Sequence, residues 1–333
     1  MKIALIEVSH WHAPIYVEKL LKMQANVVAV TDKNHEIAKT IAKNFNCTWY
    51  NDYKLMIKKE RPDFVFVFGK HFEMPLIAKY LIKNHVQFAM EKPMGISSQD
   101  IEKLKKLQDS HKCFIAIPFI FRYSPILKKI EKLINNNVFG LIAQLYFRFI
   151  AGPPSRYLES NNEWMLDPKR AGGGCTINLA VHFIDLFLYL IKDQFVRTVS
   201  AALNNLTYNT DIEDFSTIVL KTNRNVICTI ETGYTFPMTS SHIRDISYYI
   251  TTTHGYLSIK EKKFTWLQRD GKIVHENIIT ATEDYYPIFI EKTLSAFIQG
   301  KKPLASLNEM FQVMKIIDAV YLSNSMNTTI SLS

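Results

Sequence analysis

The sequence predicts an α/β protein of two domains: a doubly wound parallel sheet first, then an α+β domain built on a large, mostly antiparallel sheet. Three observations carry this expectation. Over the first 120 residues, short apolar runs alternate with amphipathic stretches. Beyond about residue 121 the apolar runs lengthen and alternate with polar residues. Finally, 333 residues with 47% hydrophobic and 21% charged content exceed what one core holds, since single cores stop growing near ~250–300 residues. The expected boundary lies between residues 120 and 121, giving domains 1–120 and 121–333.

The first strands are "IALIEV" (3–8), "VVAVTD" (27–32), "DFVFVFG" (63–69), "QFAMEK" (87–92) and "FIAIPF" (114–119). They are nearly continuous apolar runs, as strands covered on both faces by helices require. Helices are expected between them, over Pro14 to Met23, Asn34 to Phe45, Tyr53 to Lys59, Pro75 to Asn84 and Ser98 to Ser110. Such strand–helix alternation gives a parallel sheet. Two helices follow, Pro125 to Asn135 and about Thr176 to Ile191. Then come strand-like segments bounded by turn residues: "TVSAALNNL" (198–206), "DFSTIVLKT" (214–222), "NVICTIETGYTF" (225–236), "ISYYITTT" (246–253) and "YLSIKEK" (256–262). Helices near Tyr285–Gln299 and Leu307–Ser323 close the chain.

The net charge of +9 does not point to nucleic acid. The lysines lie on helix faces such as "IEKLKKLQDSHK" (101–112) and "ILKKIEKLI" (126–134), interleaved with acids and backed by Leu and Ile, which is the pattern of a solvated face. No run of about 20 apolar residues suggests a membrane span. The amino terminus lacks the apolar core of a secretion signal, so a cytoplasmic protein is expected. Cys47, Cys113, Cys175 and Cys228 are scattered without a C-x-x-C pair, so neither a metal site nor a disulfide framework is expected.

Residues 2–23, "KIALIEVSHWHAPIYVEKLLKM", read as the strand, turn and helix that open a dinucleotide-binding unit, yet the turn contains no glycine. Asp32 ends the second strand, where an acid accepts from the ribose hydroxyls of NAD and repels a 2′-phosphate. A helix cap is the alternative role, and Lys33 beside it leaves room for NADP.

Three segments resemble the Gfo/Idh/MocA oxidoreductases. They are "EKP" at Glu91–Pro93, "WMLDPKRAGGGCTINLAVHFIDLFLYL" (164–190), and "FRYSP" (121–125), which is similar to the family's Arg-aromatic-x-Pro start of a second domain. The resemblance implies a Rossmann NAD(P)-binding domain followed by a substrate-binding and oligomerisation domain, in a homodimer or homotetramer. Its activity would be hydride transfer between nicotinamide and a secondary hydroxyl or ketone of a sugar, cyclitol or related polyol. Lys92, His182 and Asn178 are the implied catalytic residues. Lys92, Arg122, Trp164, Asn178 and His182 are the implied substrate contacts. Val8, Ser9, His10, Trp11, His12, Asp32, Gly69, His71, Glu91 and Lys92 are the implied cofactor contacts.

Physical reasoning supports several of these roles. Strand carboxyl ends open on the ligand crevice of a doubly wound sheet, so Lys92 would project there and stabilise an oxygen that gains charge as hydride leaves. Asn178, His182 and Asp185 fall at i, i+4 and i+7, on one helical face; the resembled family commonly has Asp where this chain has Asn178. Gly172–Gly174 would let the backbone approach a ligand or cofactor. In the turn, Glu7, Ser9 and His12 replace the family's small residues, leaving the backbone N–H groups of Ser9, His10 and Trp11 and the helix amino terminus behind Pro14 to hold a pyrophosphate. The rival function is a noncatalytic dinucleotide or sugar sensor on the same fold. Substrate identity would lie in loops 152–164 and 233–245, which carry no interpretable pattern.

Overall fold

A computed structural model describes residues 1–237 and 243–332. Contacts divide the chain into two units. The first comprises Met1–Pro118, Tyr157–Gly172 and Tyr286–Gln312; the second comprises Phe119–Arg156, Gly173–Tyr285 and Val313–Ser333. A single cut near residue 120 therefore misses two segments that return to the first unit. Composition changes along a chain cannot reveal such returns.

The first unit is a six-stranded sheet in the order β3-β2-β1-β4-β5-β6, every neighbouring pair being parallel. Its strands are β1 (Ile3–Ile6), β2 (Val27–Thr31), β3 (Thr48–Tyr50), β4 (Phe64–Val67), β5 (Gln87–Met90) and β6 (Ile115–Ala116). The order reverses between β1 and β4, so their carboxyl ends flank the crevice where such sheets take ligands. β1 and β4 are buried at every residue, as continuous apolar runs predict. Five helices alternate with the strands: α1 (Ala13–Lys22), α2 (His35–Phe45), α3 (Tyr53–Glu60), α4 (Met74–Lys83) and α5 (Ser98–His111). Three begin at side chains that accept first-turn N–H groups, Asn34 for α2, Asp52 for α3 and Ser97 for α5. α1 and α4 begin instead with a proline in the first turn and no side-chain cap.

The second unit holds a nine-stranded sheet in the order β14-β13-β12-β11-β7-β10-β9-β8-β15. Its strands are β7 (Ile142–Ala151), β8 (Val196–Asn204), β9 (Phe215–Thr222), β10 (Ile227–Gly233), β11 (Arg244–Thr252), β12 (Gly255–Lys260), β13 (Lys263–Gln268), β14 (Ile273–Asn277) and β15 (Ile330–Ser331). Only β7 and β10 pair in parallel; the other neighbours are antiparallel. Both sheet types thus agree with the sequence reading. The central strand, β7, was not among the expected strands.

The remaining helices are α6 (Pro125–Asn135), the short α7 (Arg156–Glu159) and α8 (Pro168–Ala171), α9 (Val181–Ile191), α10 (Tyr285–Ile298) and α11 (Leu307–Met326). α9 is preceded by a π-helical turn, Thr176–Ala180, so the expected helix from Thr176 is not regular throughout. In the second unit's core, Phe183 of α9 stacks between Phe121 and Phe147 at centroid distances of 4.9 and 5.1 Å. Among the described residues one helical run, Pro168–Ile191, has the length and mean hydropathy (1.7) of a membrane span, and 89% of its apolar window is buried in protein.

Candidate active site

At the carboxyl edge of the first sheet, β1 leads into a turn that begins with Glu7 in the left-handed region, at φ +59°, where a glycine would be unstrained. The Glu7 N–H donates to the Thr31 carbonyl at 2.8 Å, so the β1–β2 pairing continues one residue past the strands. Asp32, 1% exposed, locks the turn. Its Oδ2 accepts the Ser9 N–H and its Oδ1 the Asn34 N–H, both at 2.7 Å. Two charge-assisted bonds thus tie the turn to the entry of α2. Ser9 therefore spends its N–H on Asp32, which corrects the expectation that this group faces a pyrophosphate; His10 and Trp11 are the remaining backbone candidates. Val8 contributes a buried core side chain.

The His10 ring stacks on Trp11 at a centroid distance of 3.7 Å, and its Nδ1 accepts the His12 N–H at 3.1 Å. The ring proton accordingly sits on Nε2, which is buried without a partner. His71 has the opposite arrangement. Its Nδ1–H donates to the Ala171 carbonyl at 2.7 Å, leaving a buried, unpartnered acceptor at Nε2. Burial pushes both imidazoles towards the neutral form, His71 down to about 3, and the charge of Lys92 acts in the same direction. Lys92 is only 2% exposed. Beside it, Glu91 accepts from the Tyr16 hydroxyl at 2.9 Å. His12 Nδ1 lies 3.3 Å from Glu91 Oε2 but bonds the Tyr286 hydroxyl at 3.0 Å, and Oε2 has no hydrogen-bond partner.

The returning segment packs on this turn. Trp164 Nε1 donates to Asn162 Oδ1 at 3.1 Å, and Asn162 Nδ2 reaches the Ser9 carbonyl at 3.3 Å. Trp164 also meets His71 edge to face. Trp164 is thus placed within the first unit, against the turn, where a substrate contact was expected. Glu7, Ser9, His10, Gly69, Lys70, Asn162 and Trp164 line a partly open pocket of about 10 Å³, the room of roughly one water. Gly69, at φ +39°, is held close to α4: a Cβ there would lie 3.1 Å from Met74.

In the second unit the π-helical turn carries Asn178, whose Nδ2 donates to the Tyr234 hydroxyl at 3.0 Å. The Arg156 guanidinium lies over the Tyr234 ring at 4.8 Å and also bonds the Gly152 carbonyl. His182, 4% exposed, is flanked edge-on by Phe119 and Phe121. Arg122 grips Asp185 through two parallel bonds, Nε to Oδ2 at 2.8 Å and Nη2 to Oδ1 at 2.7 Å. That pair is buried, so Arg122 is committed to the core, contrary to its expected substrate contact. The glycine run also differs from expectation. A Cβ on Gly173 would lie 1.9 Å from the Tyr321 hydroxyl, and one on Gly174 would lie 2.1 Å from the Glu213 carbonyl. These glycines admit the protein's own chain rather than a ligand.

Asn162, Tyr234, Arg156 and Glu213 escaped the sequence reading. Glu213 accepts the Gly174 and Thr176 N–H groups at 2.9 and 3.0 Å, acting as a cap 39 residues away in sequence; no local pattern encodes that. Part of the 233–245 loop, residues 238–242, lies outside the described residues.

The residues present fit a dinucleotide. Four strands of the first sheet each end at a buried polar atom with no hydrogen-bond partner among the described residues: His10 Nε2 after β1, Thr31 Oγ1 at the end of β2, His71 Nε2 after β4 and Glu91 Oε2 after β5. Unsatisfied buried groups are rare and call for a function, and these lie along the edge where doubly wound sheets bind ligands.

Comparison with known proteins gives the same picture. A model described as the oxidoreductase family, NAD-binding Rossmann fold, GFO/IDH/MocA, matches residues 9–119, and one of the GFO/IDH/MocA C-terminal domain matches residues 127–258. Glucose-6-phosphate 3-dehydrogenase of Bacillus subtilis (strain 168) is 22% identical over 247 residues, 70% of this chain and 69% of that protein. Among solved structures, an oxidoreductase from Agrobacterium radiobacter in complex with NAD+, L-tartaric acid and magnesium superposes with a TM-score of 0.88 at 14% identity, covering 99% of this chain and 98% of the other. Levoglucosan dehydrogenase in complex with NADH and levoglucosan gives 0.86 at 16% identity, covering 99% of both chains. Myo-inositol 2-dehydrogenase from Lactobacillus plantarum gives 0.83 at 19% identity, covering 100% of this chain and 99% of the other.

Proposed function

The chain belongs to the GFO/IDH/MocA family of NAD-binding oxidoreductases, and from that premise we propose that it is a dehydrogenase acting on a secondary hydroxyl, or the matching ketone, of a sugar, sugar phosphate or cyclitol. The related proteins are named for such substrates. The observation that carries the reading is Lys92: an ammonium 2% exposed, just beyond β5, whose charge acts on two imidazoles held neutral by burial. NAD supplies the hydride acceptor, or as NADH the donor. Lys92 then steadies the substrate oxygen as it becomes negative. His182 exchanges the hydroxyl proton, and Asn178, fixed by Tyr234, orients the substrate or the imidazole. The backbone of His10 and Trp11, His10 Nε2–H, His71 Nε2 and the Asp32 carboxylate are the groups that would hold the dinucleotide, with NAD favoured over NADP because Asp32 repels a 2′-phosphate.

We further place the protein in the cytoplasm as a homodimer or homotetramer; sedimentation showing only monomer at micromolar concentration would refute the assembly. The activity test is a screen of inositols, aldoses, sugar phosphates and keto-sugars with NAD and NADP, followed by nicotinamide absorbance. Turnover that Lys92→Ala abolishes is the expected result. Tight binding of NAD and a sugar without any turnover would instead favour the noncatalytic sensor.

A further inference from the structure

Glu7 stands where a dinucleotide-binding turn ordinarily has its first glycine, and among the described residues its carboxyl makes no hydrogen bond. The residue follows β1 at φ +59°. The pairing of Ile6 with Thr31 and with Val67 sets it at the carboxyl edge of the sheet between the ends of β2 and β4. It is 8% exposed and lines the small pocket with Ser9, His10 and Lys70. Asp32, its acidic neighbour, already uses both oxygens on the Ser9 and Asn34 N–H groups.

Resting on the cofactor reading above, we propose that Glu7 couples dinucleotide binding to proton uptake: its carboxylate takes a proton from solvent as the diphosphate docks on the turn, and returns it on release. The physical reason is charge. A diphosphate brings two negative charges to a turn that already holds Asp32, and a second carboxylate can share that space only by becoming neutral. The field around Glu7 is mixed. Asp32 at the end of β2 and Glu73 at the start of α4 favour the neutral acid, Lys33 and Lys70 favour the anion, Tyr53 of α3 feels Glu7, and His10 faces the same pocket as a neutral ring. Burial leads the balance and, with Asp32, raises the Glu7 carboxyl to about 7. Near-neutral pH is therefore where a bound diphosphate shifts its proton occupancy most. Protonated, Glu7 is also a hydrogen-bond donor at a turn that lacks the Ser9 N–H.

The test is NADH binding to the full-length protein by fluorescence titration from pH 6 to 8.5, with calorimetry in buffers of different ionisation enthalpy to count protons. Affinity should fall on the order of tenfold across that range, with net uptake approaching one proton near pH 8. Glu7→Gln, which keeps the shape and removes the titration, should flatten the dependence and bind more tightly than wild type at pH 8.5. Glu7→Gly, which suits the positive φ, should do the same and serves if the amide variant folds poorly. A wild-type affinity that is flat with pH and exchanges no proton, or a Glu7→Gln variant that keeps the slope, overturns the proposal. Absence of NADH binding at every pH overturns the cofactor reading itself, and this inference with it.

Discussion

Asp32 has a structural duty besides its proposed role at the ribose. Its carboxylate holds two backbone N–H groups at 2.7 Å, and bonds to charged acceptors contribute about 1.5–3 kcal/mol each. Asp32→Ala should therefore lower the unfolding free energy of the ligand-free protein by at least ~2 kcal/mol as well as relax discrimination against NADP. A role confined to the ribose would leave urea unfolding unchanged. His71 gives a second residue-scale expectation. Its folded-state proton affinity is depressed to about 3 by burial, so between that value and the ordinary histidine range near 6.5 the unfolded chain binds the proton and the native state does not. Stability contributed by this group is present above about 6.5 and lost progressively as pH falls toward 3. Glu7 works in the other direction. Its raised carboxyl, at about 7, is fully tolerated below the ordinary carboxylate range and costs stability as pH rises through that value. Glu7→Gln should thus be more stable than wild type at pH 8, by on the order of 1–3 kcal/mol, and indistinguishable at pH 4. Equal urea midpoints at pH 8 would contradict the buried position of the carboxyl.

At the scale of elements, legibility followed periodicity. β1, β2, β4 and β5 were visible because three to five consecutive apolar residues signal a strand covered on both faces. β3, three residues at Thr48–Tyr50 and none of them fully buried, carries too little pattern to detect. β7 has the alternation Leu145, Phe147, Phe149 on its buried face, but the half-buried Tyr146 and buried Ile150 between and beyond them blur its period of two. The π-helical turn was invisible because nothing in "TINLA" distinguishes i→i+5 hydrogen bonding from the i→i+4 bonding of an α-helix. The glycine run had the right residues and the wrong reason. It can be tested by contrast: Gly173→Ala places a Cβ 1.9 Å from the Tyr321 hydroxyl at φ +142°, whereas Gly271→Ala, at φ +89°, meets nothing within 4 Å. The second should cost about 1 kcal/mol, the ordinary penalty of the left-handed region; the first should cost several times more, as overpacking adds to backbone strain. Comparable melting temperatures for the two variants would refute the packing account.

Across the whole molecule, the candidate chemistry is divided between the units. Lys92 and the neutral imidazoles belong to the first; Asn178, Tyr234 and His182 belong to the second. The motifs were legible because E-K-P and H-x-x-D are local, while their supports, Asn162 under the turn and Tyr234 under Asn178, are brought in from distant sequence. If Lys92 stabilises the developing alkoxide and His182 exchanges the proton, Lys92→Ala and His182→Ala should each lower kcat by on the order of 10²–10⁴-fold, the usual contribution of a positioned acid or base. NAD affinity should barely change. Asn178→Asp is the sharper probe. It keeps the side-chain shape, exchanges an amide that donates to Tyr234 for a carboxylate that accepts from it, and introduces a negative charge one helical turn before His182. A neighbouring anion favours imidazolium, so the alkaline or acid limb governed by His182 should move upward in pH while activity persists. A pH–rate profile unmoved by Asn178→Asp, together with full activity in His182→Ala, would leave proton exchange to Lys92 alone and reduce His182 to a packed side chain between Phe119 and Phe121.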